Sequence, residues 1–290
     1  MTTPQKTAVI TGASTGIGRA CAATLIEAGW RVFGSVRKEA DGQAVADDLG
    51  EDFIPLLFDV TDETAIADAA AIVDQALEGR TLDALINNAG VAVSGAVRYL
   101  PLDDLRYQFD VNVYGVLRTM QAFLPHLGAD HGRKGKPGKI INISSVAGKI
   151  ASPFMSPYAM SKHAVEALSE SARRELLVHG IDVVVIGPGA VSTPIWSKAE
   201  EVDLSKYRDT EYFDAVNTMK TSMTKFGGDG LPAEAIGALA LKIINDPSPK
   251  TRYAVLKNKF FNWTLARALP PRMLDNVIAN RFGLKKRKSR

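Results

Sequence analysis

Short runs of β-branched residues alternate along the chain with longer segments whose apolar residues recur at helical spacing. The predicted strands are residues 7–11, 31–36, 53–58, 84–87, 139–144, 182–186 and 252–255. Segments such as 17–28 and 65–77 are predicted to form helices between them. Because such alternation requires right-handed crossovers, it gives a parallel sheet with helices on both faces. The sequence therefore predicts a doubly wound α/β fold, a Rossmann-like sheet of about seven strands.

Two segments interrupt this alternation. Residues 128–138 are polar and rich in turn-forming residues, which predicts an exposed loop before the fifth strand. Residues 194–232 form a longer insertion, which contains Trp196, Tyr207, Tyr212, Phe213, Met219, Met223 and Phe226. Since ligands of doubly wound sheets bind beyond the carboxyl ends of the strands, we expect this insertion to roof that crevice; its apolar residues can equally pack on one another. We expect one domain over residues 1–290, with a C-terminal extension at 257–290.

Composition and charge restrict the class of protein. The chain has 290 residues, of which 46% are hydrophobic and 23% charged, as in ordinary soluble proteins. Its single cysteine, Cys21, excludes an intrachain disulfide and fits a reducing compartment. Residues 1–11 lack a secretory pattern, and no apolar run approaches the roughly 20 residues of a membrane-spanning helix. The expected location is therefore the cytoplasm.

The C-terminal extension is apolar and then basic. Its apolar residues are Phe260, Phe261, Trp263, Leu265, Leu269, Met273 and Leu274, and the last six residues contain Lys285, Lys286, Arg287, Lys288 and Arg290. These five supply the positive net charge of +3, since the other 30 basic residues are outnumbered by 32 acidic ones. We favour a helix packed on the body or on a partner subunit, followed by a solvated tail; contact with an anionic membrane is the alternative. Nucleic-acid binding is not expected, because one short basic run is not a groove-reading surface.

A glycine-rich turn follows the first predicted strand. Gly12, Gly16 and Gly18 lie between that strand and a predicted helix. Without side chains, glycines let phosphate oxygens approach the backbone, and a helix N-terminus offers unpaired N–H groups. The turn predicts a dinucleotide site, with tight strand–helix packing as the simpler alternative.

Tyr158 and Lys162 form a pair that can move a proton. Lys162 comes four positions after Tyr158, so a helix places both on one face. A free phenol has a pKa of about 10, and one cation about 4 Å away, at an effective dielectric near 20, supplies the roughly 4 kcal/mol needed to bring it near neutrality. We therefore expect Lys162 to lower the pKa of Tyr158.

The motifs together resemble those of the short-chain dehydrogenase/reductase family. They are Thr-Gly-x-x-x-Gly-x-Gly at residues 11–18, Asn-Asn-Ala-Gly at 87–90 and Tyr158-x-x-x-Lys162, in the order of that family. The resemblance covers residues 5–195, with the general layout continuing to 256. It implies that Ser145 binds the substrate oxygen, with Ser144 as its nearest rival. It also implies that Asn112 helps to hold a water-linked proton relay to Lys162.

The resemblance further implies a set of cofactor contacts. They are Gly12, Ser14, Thr15, Gly16, Ile17 and Gly18 in the turn, Asp59 and Val60 near the adenine, Asn88, Ala89 and Gly90 along the adenosine ribose, and Tyr158, Lys162, Pro188, Gly189, Val191 and Thr193 towards the nicotinamide. At the end of the second strand, Val36 and Arg37 replace the acidic residue that would bind a ribose 2′-hydroxyl. Arginine suits a 2′-phosphate, so NADP(H) is favoured over NAD(H). Two points stand against this: Arg37 can simply be solvated, and Thr15 lies where many NADP-dependent relatives have a second basic residue.

These features predict an NADP(H)-dependent alcohol dehydrogenase or carbonyl reductase that acts on a hydrophobic or bulky alcohol or ketone. The layout, and residues 32–37, look like the steroid- and retinoid-oxidising branch of the family. An epimerase or dehydratase on the same fold, or a nucleotide sensor without turnover, are the alternatives. No metal is expected, because the histidines lack metal-ligand spacing. The resemblance also implies a homodimer or homotetramer, formed through the helices that bear Asn112 and Tyr158.

Overall fold

A computed structural model describes residues 4–194 and 203–284 of the chain. The predicted roof residue Trp196, the side chain of Phe226 and the basic residues 285–290 lie outside the described part.

Seven parallel strands form one sheet. They are β1 (Thr7–Ile10), β2 (Arg31–Val36), β3 (Phe53–Leu57), β4 (Ala84–Asn87), β5 (Lys139–Ile143), β6 (Asp182–Pro188) and β7 (Arg252–Val255). Their order across the sheet is β3-β2-β1-β4-β5-β6-β7. Each begins at its predicted residue and ends within two residues of its predicted end, so the predicted doubly wound sheet is confirmed.

Helices cover both faces of the sheet. They are α1 (Gly16–Glu27), α2 (Glu39–Leu49), α3 (Glu63–Leu77), α4 (Leu102–Phe109), α5 (Gly115–Phe123), α6 (Ser156–Glu175), α7 (Phe213–Asp229) and α8 (Glu234–Asn245). Alternate strand residues point to opposite faces, so Val9 packs in the core with α3, α5 and α6, whereas Ala8 and Ile10 pack in the core with α1 and α8. Cys21 is buried in the second core, where burial raises the pKa of its thiol to about 12.

The strand order reverses between β1 and β4, and this reversal creates the crevice. From β1 the chain builds outward through β2 and β3, then returns to place β4 on the other side of β1. The loops after β1 and β4 therefore diverge at the carboxyl edge of the sheet, where doubly wound folds bind ligands. The glycine turn and residues 87–90 are these two loops.

The chain continues past the edge strand β7 along the surface of the body. A helical turn at Phe260–Leu265 leads into α9 (Ala266–Ala268) and α10 (Pro271–Arg281). Trp263 is buried, with the guanidinium groups of Arg252 and Arg267 at 4.4 and 4.9 Å from its ring centre. The part of the C-terminal extension around Trp263 thus packs on the α/β domain, at Arg252 of β7. Within the described residues, no helix combines the length and apolar character that crossing a bilayer requires.

Helices α1 and α8 approach closely because Gly237 has no side chain. A Cβ at this position would meet the hydroxyl of Thr24 and lie 2.7 Å from the carbonyl oxygen of Ala20. Neighbouring backbone leaves no room for an added group, since protein interiors are close-packed.

Gly237→Val is expected to lower the free energy of unfolding by about 1–3 kcal/mol, because the new side chain forces α8 away from α1. The matched control is Ala238→Val, on the exposed side of the same helix; it should cost no more than about 0.6 kcal/mol. Denaturant unfolding of both variants measures the difference, and equal losses would contradict the packing argument.

Candidate active site

The glycine turn leaves β1 in a conformation that suits glycine. Gly12 and Gly16 have φ angles of +67° and +57°, in the left-handed region. The Gly12 N–H donates to Ser35 Oγ at 2.9 Å, which joins the turn to the end of β2. Thr15 precedes α1, and its hydroxyl makes no capping hydrogen bond. The first N–H groups of α1 thus remain available for an anion.

Gly18 allows the turn and the loop after β4 to meet. A Cβ on Gly18 would lie 2.5 Å from Asn88 Nδ2 and 2.9 Å from the carbonyl carbon of Gly12. Asn88 Nδ2 donates to the carbonyl oxygens of Thr11 and Gly12, at 2.9 and 3.0 Å. In return, Thr11 Oγ1 accepts hydrogen bonds from the N–H groups of Asn88 and Ala89, both at 2.9 Å. Asn88 therefore fastens the two loops together, and its expected ribose contact stays a prediction.

The other expected cofactor residues lie around this turn. Thr193 closes against Gly16, since a Cβ on Gly16 would lie 3.2 Å from Thr193 Cβ. Pro188 ends β6, and the Gly189 N–H donates to the carbonyl oxygen of Val255 at 2.8 Å. Val191 is buried beside Leu231, in a short parallel bridge. Residues 188–193 thus bring the end of β6 back to the start of α1.

The adenine side combines fixed and exposed residues. Asp59 Oδ1 accepts hydrogen bonds from the N–H and hydroxyl of Thr61, at 3.0 and 2.8 Å. Val60 is buried and lies against Gly115, so its side chain packs in the hydrophobic core. Arg37 is exposed directly after β2, two residues beyond Ser35. Arg37 therefore lies at the carboxyl edge of the sheet, directly after the strand whose Ser35 hydrogen-bonds the glycine turn.

Ser145 lies at the end of β5 and faces Tyr158. Its Oγ accepts a hydrogen bond from the Ala147 N–H at 3.1 Å and lies 3.4 Å from the carbonyl oxygen of Pro188. A hydrogen bond to Ser145 also acts on the Tyr158 phenol. Ser144 Oγ points elsewhere, towards the carbonyl oxygen of Lys162 at 3.5 Å. The geometry therefore favours Ser145 over Ser144 as the partner of Tyr158.

Lys162 lies one helical turn after Tyr158 on α6. Its ammonium donates to the carbonyl oxygen of Ile143 at 2.9 Å and lies 5.8 Å from the centre of the Tyr158 ring. Burial lowers the pKa of Lys162 to about 8, although the charge of Glu166 opposes this shift. Lys162 is thus close to losing its proton under mildly alkaline conditions.

The expectation that the Tyr158 pKa is depressed is wrong. Burial raises the pKa of Tyr158, and the hydrogen bond to Ser145 only partly opposes that rise. The reason is that desolvation disfavours a phenolate, while the ammonium of Lys162 is directed at a carbonyl oxygen. Tyr158 is therefore a protonated phenol near neutrality, which makes it a proton donor.

Asn112 lies in a π-helical turn, Asp110–Tyr114, between α4 and α5. Its Oδ1 accepts from the Val91 N–H at 2.8 Å, and its Nδ2 donates to the Val91 carbonyl oxygen at 3.0 Å and to Ser161 Oγ at 3.1 Å. Ser161 in turn donates to the carbonyl oxygen of Tyr158 at 2.8 Å. The side chain of Asn112 thus ties the loop after β4 to the first turns of α6. The relay role of this residue stays a prediction.

An ion-pair network that the sequence analysis missed supports Ser145 and Lys162. Glu166 is buried on α6, one turn after Lys162, and Arg252 Nε donates to both of its carboxylate oxygens at 3.0 and 2.9 Å. Lys149 Nζ lies 3.5 Å from the same carboxylate. Arg252 Nη2 also donates to the carbonyl oxygen of Ser145 at 3.2 Å. The one available signal was a carboxylate four residues after Lys162, on the same helix face.

The insertion after β6 folds into a third apolar cluster beside the site. Its buried members are Ala96, Phe154, Tyr207, Ala215, Val216, Met219 and Met223. Tyr207 is fully buried, and its hydroxyl accepts a hydrogen bond from the Ala96 N–H at 3.2 Å. Tyr207, Met219 and Met223 therefore pack within the roof rather than line the crevice, as the alternative interpretation held.

Phe154 joins this cluster to the site. It is buried four residues before Tyr158, and its ring centre lies 5.9 Å from that of Tyr212. Its φ angle of +65° is rare for a bulky residue, so the surrounding contacts must hold it there. Tyr212 and Phe213 are only half-buried, so part of the apolar surface of this cluster stays exposed.

Comparison with known proteins relates this geometry to a family. A family model described as short chain dehydrogenase matches residues 6–203. The chain is 38% identical over 271 residues to an NADPH-dependent 3-dehydrocapnine reductase of Ornithobacterium rhinotracheale, which covers 93% of this chain and 95% of that protein. It is 32% identical over 249 residues to a 3-ketodihydrosphingosine reductase of Bacteroides thetaiotaomicron, with 85% and 86% covered.

Solved structures agree with this relationship. A short-chain dehydrogenase from Streptomyces avermitilis is similar with a TM-score of 0.75 and 26% identity, over 96% of this chain and 95% of that one. A variant of actinorhodin polyketide ketoreductase with NADPH is similar with a TM-score of 0.70 and 27% identity, over 87% and 95% of the two chains. The matched family model, the two reductases and the shared fold all lead to one conclusion: the chain belongs to the short-chain dehydrogenase/reductase family.

Proposed function

We propose that this protein is an NADPH-dependent reductase that converts a hydrophobic ketone to an alcohol. The observation that carries the proposal is the meeting of Ser145, the protonated Tyr158 and the ammonium of Lys162 at the carboxyl edge of the sheet. A nucleotide sensor would need the glycine turn but not these three groups. The epimerase and dehydratase alternatives have no specific feature in their favour.

The reaction requires a hydride at the carbonyl carbon and a proton at the carbonyl oxygen. When bound, the reduced nicotinamide supplies the hydride. Ser145 Oγ and the Tyr158 hydroxyl hold the carbonyl oxygen, and Tyr158 donates its proton there as negative charge develops. Lys162 stabilises the phenolate that remains, because its positive charge lies behind the ring.

The cofactor is proposed to be NADP(H). The crowded approach at Gly18 and the open N-terminus of α1 fit a pyrophosphate. Arg37 is the candidate partner of a 2′-phosphate, since it is exposed at the end of the strand next to the turn. The reductase of Ornithobacterium rhinotracheale is named as NADPH-dependent, which supports the same choice.

The substrate is proposed to be a ketone with a large apolar part. Tyr212 and Phe213 offer partly exposed apolar surface in the cluster that buries Phe154, four residues before Tyr158. The names of the two related reductases point to 3-oxo compounds, and 3-ketodihydrosphingosine is a ketone on a long alkyl chain. Long-chain ketones are therefore the first to test, together with the steroid, retinoid and aryl ketones expected from the sequence.

A homo-oligomer is proposed through the helices on the α4–α6 side. Large apolar residues are exposed in the single chain on these helices and on the π-helical turn between α4 and α5: Leu102, Tyr114, Leu117 and Met160. Burial of such residues in a subunit interface would remove them from water.

Tyr158→Phe is expected to lower ketone reduction by a factor of about 10²–10⁴, because the proton donor is lost, while NADPH still binds. Absorbance of the reduced cofactor measures turnover on a panel of hydrophobic ketones, and fluorescence measures cofactor binding. The control is Tyr107→Phe, which removes an exposed hydroxyl on α4. Tight NADPH binding with no turnover of any ketone by the parent protein would favour the sensor.

Arg37→Ala is expected to weaken NADPH binding by about tenfold or more while leaving NADH binding nearly unchanged, because the 2′-phosphate alone needs the guanidinium. Titration of both cofactors against the variant measures the two dissociation constants. Arg174→Ala, at the exposed end of α6, controls for a general loss of positive charge. Equal weakening of the two cofactors would remove the argument from Arg37.

Glu166→Gln is expected to move the alkaline fall of kcat/KM to lower pH. The charge of Glu166 raises the pKa of Lys162 against the effect of burial, so its removal lets that pKa fall further below about 8. Lys162 then loses its proton, and activity declines, at a lower pH. Glutamine retains an acceptor for Arg252, so the loss of charge is tested rather than the loss of the contact.

The matched control for this profile is Glu170→Gln, one turn further along α6, where the carboxylate is exposed and paired with Arg174. Its pH profile should coincide with that of the parent protein. An unchanged profile for Glu166→Gln would show that the carboxylate has no influence on Lys162.

A further inference from the structure

The net charge of the sequence changes sign at about residue 257: it is negative before this position and positive after it. Residues 257–284, called here the basic segment, have five basic residues and one acidic residue, Asp275, and the sequence adds five more basic residues at positions 285–290. Residues 1–256 have 25 basic and 31 acidic residues. A body with excess negative charge therefore carries a strongly positive extension, which favours an acidic partner.

The basic segment also exposes large apolar side chains. Phe260 and Phe261 are 63% and 66% exposed, with Leu265 exposed one turn later. These three residues, called here the aromatic face, lie on the outer side of a helical segment whose inner side buries Trp263. On α10, Met273 and Val277 are 55% and 59% exposed and lie one turn apart, on the same side of the helix. Water-exposed apolar rows of this kind indicate a binding surface.

The position of the basic segment links it to the active site. Trp263 packs against Arg252, and Arg252 donates to the carbonyl oxygen of Ser145. At the other end, Phe282 and Leu284 pack against the roof cluster that contains Phe154. The segment therefore runs from Arg252, which supports Ser145, to the roof cluster that contains Phe154.

We propose that the basic segment docks this protein on an anionic membrane surface, with the aromatic face inserted among the headgroups. Two attractions act together there: apolar side chains leave water, and lysines and arginines approach the negative surface. An exposed Phe pair beside Lys257 and Lys259 supplies both in one stretch of chain. Neither signal alone gives more than weak attachment, whereas their combination gives stable but reversible binding.

Charge argues against a second copy of the chain as the occupant. A symmetric dimer through the basic segment would bring two like-charged surfaces together, because each subunit presents the same patch. The proposed oligomer surface on α4–α6 lies on different elements. An acidic lipid layer matches the charge and accepts the phenylalanines.

Membrane docking does not depend on the proposed reductase activity. The idea that docking delivers a substrate from the membrane to the active site does rest on that proposed function. A ketone with a long alkyl chain resides in the bilayer. Docking through the basic segment would bring the roof cluster, which that segment contacts, close to the membrane that contains this substrate. Vesicle binding and turnover therefore have to be measured separately.

The test is co-sedimentation of the full chain with vesicles of phosphatidylcholine alone or mixed with phosphatidylglycerol, at low and high salt. The protein is expected to pellet with the mixed vesicles at low salt and to be released by high salt, as charge attraction is screened. The double variant Phe260→Ser and Phe261→Ser is expected to bind vesicles at least about tenfold more weakly, because it lacks the two phenyl groups that would insert into the membrane. Its turnover of a soluble ketone should equal that of the parent.

The matched control replaces Leu177 and Val178 by serine, two residues that are 70% and 79% exposed before the start of β6. This variant should bind vesicles like the parent. A second test variant, Lys257→Gln with Lys259→Gln, should weaken binding to the mixed vesicles without loss of fold.

Three results would overturn the proposal. One is vesicle binding that does not depend on phosphatidylglycerol, including no binding to either kind of vesicle. Another is vesicle binding that survives both the phenylalanine and the lysine variants. The third is a fall in oligomeric state of the phenylalanine variant in analytical ultracentrifugation without lipid, which would make the aromatic face a subunit interface.

Discussion

Gly18 lies where the glycine turn, the start of α1 and the loop after β4 meet, and the close approach of these three backbones determines the remainder of the site. Asn88 can donate to the carbonyl oxygens of Thr11 and Gly12 only because no side chain intervenes at Gly18. This contact holds together the two loops that diverge from neighbouring strands. The protein's own hydrogen bonds thus fix the walls of the crevice, which limits the ordering free energy that cofactor binding costs.

Tyr158 and Lys162, the proposed proton-transfer groups, show a competition between burial and charge. Burial favours the neutral forms of both Tyr158 and Lys162, which raises one pKa and lowers the other. Glu166 acts in the opposite direction on Lys162, and Arg252 keeps that carboxylate in place with two hydrogen bonds. The Glu166 carboxylate therefore favours the charged form of Lys162 and opposes the effect of burial. A protonated phenol next to a charged lysine suits the reductive direction.

Local patterns predicted the strands, the glycine turn and the spacing of Tyr158 and Lys162, because each depends on neighbouring residues. Sequence analysis could not find the Glu166–Arg252 pair, since 86 positions separate the two residues and only the fold unites them. It likewise gave the wrong direction for the Tyr158 pKa, which depends on how much protein surrounds the phenol. Tyr207 was expected in the roof, but whether it faces the crevice or the cluster depends on tertiary packing that periodicity does not encode.

Gly187 on β6 leaves the space that the Arg252 guanidinium occupies in the ion-pair network. A Cβ at this position would lie 2.9 Å from the central carbon of the Arg252 guanidinium, so any larger residue would displace that group. Displacement would disconnect the edge strand from the carbonyl oxygen of Ser145 and leave Glu166 without its principal counterion. Within the family, the residue at this place should therefore vary together with the arginine, and relatives that have a side chain here must orient their serine by other means.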